Sequence, residues 1–139
     1  MKNTTAEMLK ILRNKKSFPD YLEVNPKYID CQLSEVLACL LEEKQLDKAE
    51  VIKCSGLDKH YAYQIFSGAK KPSKDKLLVI AIGMKLSYEE AQMLLKIANQ
   101  PELYVKRYRD SIIIFCLHHQ KGIMETNEIL FEMGERIIE

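Results

Sequence analysis

Apolar residues in this chain recur at intervals of three and four, and strand-like alternation is nowhere sustained. Val36, Leu37, Leu40 and Leu41 form one such set. Leu77, Leu78, Ala81 and Ile82 form a second, and Ala91, Leu94, Leu95 and Ala98 a third. A helix turns once in about 3.6 residues, so each set lines one helical face. The five glycines and four prolines fall between these segments rather than inside them. The pattern predicts an all-α fold. With 139 residues, 47% of them hydrophobic, the chain suits one compact domain or a small domain with an extension.

Boundary residues divide it. An amphipathic N-terminal helix is expected over about 4–14, through Met8, Leu9, Ile11 and Leu12, followed by Arg13-Asn14-Lys15-Lys16 and a connector between Pro19 and Pro26. Helices then follow over about 33–44 and 48–54, the second opened by an Asp47/Glu50 capping box and stopped by Ser55-Gly56. Asp58 caps a helix over 59–66 that Ser67-Gly68 ends, and Pro72-Ser73 opens one reaching Gly83. Ser87 and Glu90 make a second capping box for a helix to Ala98. Two more helices are expected over 107–119 and 125–138. The organisation read from these signals is an N-terminal segment and connector (1–30), a central helical domain (31–99) and a C-terminal helical hairpin (100–139).

Several function classes drop out. The longest apolar run, Leu77 to Met84, is far short of the roughly twenty residues of a membrane helix. The first residues show no hydrophobic signal-peptide core. Four scattered cysteines (Cys31, Cys39, Cys54, Cys116) make no C-x-x-C pair and read as reduced core residues. The expectation is a soluble, cytoplasmic protein with no membrane partner. Adjacent His118 and His119 splay about 100° apart on a helix and cannot chelate one ion. No phosphate loop, dinucleotide fingerprint or nucleophile elbow occurs. No enzyme, cofactor or metal is expected.

The segment from Leu33 to Leu86 is the informative one. Two short helices joined by a turn through Ser55-Gly56-Leu57, with a third helix ahead of them, let the later helix project into a DNA major groove. That helix has an apolar back in Ala62, Ile65 and Phe66. Its other face carries Lys59, His60, Tyr61, Tyr63 and Gln64. Tyr61 and Tyr63 also suit ordinary packing.

Glu50-Val51-Ile52-Lys53-Cys54-Ser55-Gly56-Leu57 through Ile65-Phe66-Ser67-Gly68 resembles the XRE-type helix-turn-helix of lambda-repressor-like regulators. Ala69-Lys70-Lys71-Pro72-Ser73 and Leu77-Leu78-Val79-Ile80-Ala81 resemble that family's basic loop and following helix. The resemblance runs without a gap over about 25 residues, and its ordered glycine, spacing, basic loop and proline are specific. It implies a lambda-repressor-like helix-turn-helix bundle with a C-terminal helical hairpin. It further implies a bacterial or phage transcription regulator whose partner is double-stranded DNA.

Carried over by position, Lys59, His60, Tyr61 and Gln64 match the residues that reach base edges. Gln64 could pair with adenine and Lys59 with guanine. Lys48, Tyr63, Lys70, Lys71, Ser73 and Lys74 match those that touch the DNA backbone. Lys48 stands where the family usually has glutamine, Ile52 where it has a small alanine, and Phe66 where glutamate is frequent. The last two positions are expected to be buried. Such regulators gain affinity as two-fold dimers, so a homodimer is expected. The alternative is a protein-interaction module, antitoxin-like or a sensor adaptor, that keeps the fold without reading DNA.

Beyond the motif, Leu33–Gly56 and Ser111–Gly134 echo one another as apolar helix, lysine-containing turn and short helix ending in glycine. Ile112 to Leu117 is apolar all round and is expected to be buried, within one molecule or across a dimer. Glu125, Glu128, Glu132, Glu135 and Glu139 form an acidic stripe opposite Ile129, Leu130, Met133 and Ile137. It is either a solvated face or a site for a protein partner, turned away from phosphate in both cases. The formal charge is only +1, which by itself disfavours polyanion binding. It is a cancellation. Between Lys44 and Lys76 eight lysines face Asp47, Glu50, Asp58 and Asp75, a local net of +4, whereas residues 120–139 carry −3.

Overall fold

The computed structural model describes residues 32–139, and these form seven α-helices with no strand among them. They are α1 (Leu33–Glu43), α2 (Lys48–Ser55), α3 (Lys59–Ser67), α4 (Lys74–Gly83), α5 (Tyr88–Ile97), α6 (Tyr108–His118) and α7 (Ile123–Glu132). The expected helix over 4–14, its basic sequel, the connector to residue 30 and Cys31 lie outside the described residues. No described helix is long and apolar enough to cross a membrane.

Side chains start four of these helices. Asp58 accepts from Tyr61 N at 3.0 Å and Ser73 from Lys76 N at 3.3 Å. Ser87 and Glu90 complete a reciprocal capping box, with bonds of 3.1 and 2.9 Å. At Asp47 only the forward bond, from Glu50 N at 3.3 Å, is made, so the box expected there is half formed. Several ends use a device the sequence did not advertise. Gln45, Lys85, Asn99 and Gln120 all take positive φ, between 54° and 57°. The next residue's N–H then returns to a carbonyl five residues back, as in Leu46 N to Leu41 O at 2.8 Å and Lys121 N to Cys116 O at 2.9 Å. This closes the last turn and satisfies carbonyls that would otherwise lack donors.

Helix α4 forms the axis of the fold. Leu77 to Ile82 are all buried, as a helix apolar around its circumference requires. It is covered by α2, α5 and α7, while α1 lies on α3 and α5, and α6 joins α5 to α7. One hydrophobic cluster runs from Val36 through Ile65, Leu78 and Leu94 to Ile113, Leu130 and Ile138. The α6–α7 hairpin therefore shares the core of the preceding helices.

Three expectations are corrected. The last helix spans Ile123–Glu132 and not 125–138. Gly134 turns out of it at φ 76°, and Asn127 pairs through its side-chain amide with both Ile138 N and Ile138 O at 2.9 Å. Residues 133–139 thus return alongside α7, and the acidic stripe does not continue as one helical face. Phe115 is 48% exposed, although Ile112, Ile113, Ile114, Cys116 and Leu117 around it are buried. Cys39 and Cys116 are buried free thiols, but Cys54 is exposed.

Candidate nucleic-acid interface

The α2–α3 pair is fixed by its turn. Ser55 Oγ is buried, donates to Ile52 O at 2.6 Å and accepts from Leu57 N at 3.2 Å. Gly56 follows at φ 73°, a conformation that costs an L-residue about 1–2 kcal/mol. These bonds set the direction in which α3 leaves. Ala62, Ile65 and Phe66 bury its back, and Ile52 (4% exposed) and Phe66 (6%) are core residues as expected.

Successive side chains turn about 100°, so burial of that back sends His60 and Gln64 to the middle of the opposite face. His60 is exposed and Gln64 half-buried. Lys59, exposed, and Tyr63, half-buried, take one flank. Both border a hollow of about 420 Å³ between α2 and α3 that Lys53 also lines. Tyr61 takes the other flank, half-buried, with the Lys76 ammonium 5.8 Å from its ring centroid. Of the four expected base-reading residues, His60 and Gln64 are therefore central on the outward side of α3, and Lys59 and Tyr61 lie on its two flanks. Lys48 is exposed at the start of α2.

Beyond α3, Lys70 N donates to Gln64 O at 3.1 Å, which folds the 68–73 loop back onto the helix. Lys70 and Lys71 are exposed there, and Ser73 sits at the cap of α4. Lys48, Lys53, Lys59, Lys70 and Lys71 form no ion pair among the described residues. They are cations available to an external anion.

Lys74 differs from the sequence expectation. Its ammonium is bonded to both oxygens of Asp110, at 3.1 and 3.3 Å, and reaches Glu102 O at 3.5 Å. With 18% of the side chain exposed, it is a structural tie rather than a free backbone contact. Sequence reasoning also missed Arg109. It forms a fork on Asp75 at 2.9 and 3.0 Å and donates to Arg136 O and Ile137 O. Both ties span more than thirty positions in sequence, and no local spacing signals them.

The hairpin has a different surface. Among the described residues, every exposed large hydrophobic side chain lies between Tyr104 and Met133, including Met124 (76%) and Phe131 (78%). Ile123, Met124, Phe131 and Ile137 line a groove of about 570 Å³ against Cys54 and Gly56, edged by Glu128 and Glu132. The acidic helix thus sits beside the α2–α3 turn. His118 and His119 turn to different neighbours, the rings of Tyr88 (5.1 Å) and Phe115 (4.3 Å).

Comparison with protein-family models, curated proteins and solved structures finds no match for this chain.

Proposed function

We propose that the protein is a sequence-specific DNA-binding transcriptional regulator of the lambda-repressor-like helix-turn-helix type, which reads the major groove with α3. The observation that carries this reading is the placement of His60 and Gln64 on the outward side of a helix with a fully apolar back, flanked by Lys59 and Tyr61. Lys48, Lys53, Lys70 and Lys71 stand on the adjoining elements without carboxylate partners among the described residues. Such a face offers donors and acceptors to base edges, and its rim offers cations to phosphates. Lys74 drops out of the backbone set because Asp110 holds it.

Binding-site selection with the purified chain, followed by salt titration, tests the reading. The pair Lys70→Glu with Lys71→Glu should weaken binding to all sequences and flatten the salt dependence, whereas Gln64→Ala should shift base preference. Duplex binding indifferent to salt and to all three substitutions would refute it. The apolar groove beside α7 favours a second reading, in which the hairpin contacts a protein, either a second copy or another chain. Sedimentation of the chain with and without DNA tests the homodimer, and monomer alone in both would exclude it.

A further inference from the structure

The connector between α5 and α6 carries a run, Tyr104-Val105-Lys106-Arg107-Tyr108, for which the reading of α3 has no use. All five residues are exposed. Exposed connectors are ordinarily the most mobile parts of a domain, yet this one is fastened at several points. Buried Gln92 bonds both Leu103 O and Leu103 N, at 2.9 and 2.7 Å. Tyr104 N donates to Asp110 Oδ2 at 3.0 Å. Lys74 binds Asp110 from α4, and Gln100 Nε2 donates to Pro72 O at 3.0 Å, one residue beyond Lys71. The connector is thus held against the segment that bears Lys70 and Lys71.

Charge follows the same geometry. Asp75 and Asp110, the acids in the adjoining first turns of α4 and α6, are neutralised by Arg109 and Lys74. Lys106 and Arg107 have no ion pair among the described residues. Exposed cations on a fastened backbone, beside neutralised acids, suit a polyanion, and the Tyr104 hydroxyl can add a donor to phosphate oxygens, while that of Tyr108 donates to Met133 Sδ at 3.5 Å.

We propose that Lys106 and Arg107 form a second phosphate-gripping element, which extends the Lys70–Lys71 rim along the backbone of the same duplex. The proposal rests on the DNA reading of α3 and adds a contact that α3 and its loop do not make. It lengthens the footprint on one flank of the site that α3 reads.

The test is a salt titration of the full chain on a mixed-sequence duplex of about 30 base pairs, followed by fluorescence anisotropy. Each lost phosphate contact lowers the magnitude of the log K against log salt slope by about 0.9. Lys106→Gln with Arg107→Gln should therefore reduce it by about 1.8 and weaken binding roughly tenfold to sixtyfold near 0.1 M salt. On a duplex carrying the site found by selection, a hydroxyl-radical footprint should lose protection on one flank only. Lys70→Gln with Lys71→Gln is the reference pair, and thermal melting checks that each variant is folded. A slope that falls for the reference pair and not for Lys106 and Arg107 overturns the second element while leaving the DNA reading standing. No salt-dependent binding by the unmodified chain overturns both.

Discussion

Removing the Asp110 carboxylate tests whether the hairpin is bolted to the helical body as the geometry indicates. Asp110 is 4% exposed and accepts from Lys74 Nζ twice and from Tyr104 N. Asp110→Ala leaves the Tyr104 N–H without its acceptor, which costs about 1–3 kcal/mol when the group stays dry. It also strands the ammonium, and breaking a buried pair costs about 3–5 kcal/mol in full burial. Lys74 keeps 18% of its side chain in water and a carbonyl at 3.5 Å, so the combined loss is smaller, about 2–4 kcal/mol. In a domain of this size that lowers the melting temperature by roughly 8–15 °C. Urea unfolding of Asp110→Ala, Lys74→Met and the double variant gives the coupling. Either single change strands a partner, so the double variant should cost at least about 1 kcal/mol less than the sum of the two. A loss below about 1 kcal/mol for Asp110→Ala, or strict additivity, would refute the buried tie.

Three further outcomes are expected. Gly68 lies at φ +90°, and a β-carbon there would meet Ser34 Oγ at 3.2 Å. Gly68→Ala should therefore cost about 1–2 kcal/mol in urea unfolding, and adding Ser34→Gly should restore only the contact part. Burial pushes the Cys116 thiol above its ordinary value of 9.0, with Glu125 adding to the rise; the Thr126 hydroxyl, placed to donate to a thiolate, and Lys121 pull it back. The unfolded chain then ionises first, so stability from this group is complete below pH 9.0 and is lost as pH rises through the higher native value. In native protein near neutral pH, maleimide labelling read by peptide mass should modify exposed Cys54 and spare Cys116. Equal labelling of the two would contradict their placement.

The helices were largely legible because local chemistry sets them. The Ser87/Glu90 box, the Asp58 cap and the glycines after Ser55 and Ser67 all act within a few residues, and α1 to α6 start and stop within about two residues of expectation. Helix α7 was overextended because Glu135, Ile137 and Ile138 continue a helical period. The backbone pairing of Asn127 with Ile138 overrides that period and depends on a turn at Gly134. Exposure of Phe115 escaped notice because an apolar run carries no record of how many of its sides find partners. On the candidate interface, the outward face of α3 followed from the period of its apolar back. The capture of Lys74 did not, since its partner arrives from another helix.

Arg109 has a further consequence for the order in which the structure opens. Through one guanidinium it joins α6 to Asp75 on α4 and to the carbonyls of Arg136 and Ile137. Segment 133–139 has no helical ladder of its own, so it is held by bonds from Arg109, Asn127 and the Tyr108 hydroxyl, by the turn at Gly134 and by the Arg136–Asp75 pair. Loss of that guanidinium removes the bonds to Asp75, Arg136 O and Ile137 O at once, and leaves Asn127 and the Arg136–Asp75 pair at 3.7 Å to hold the segment. In hydrogen exchange the Ile138 amide should then report a sub-global opening, below the free energy that governs the core amides of α4. Arg109 and Asp110 thus tie the hairpin to α4 from two adjacent positions of one helix.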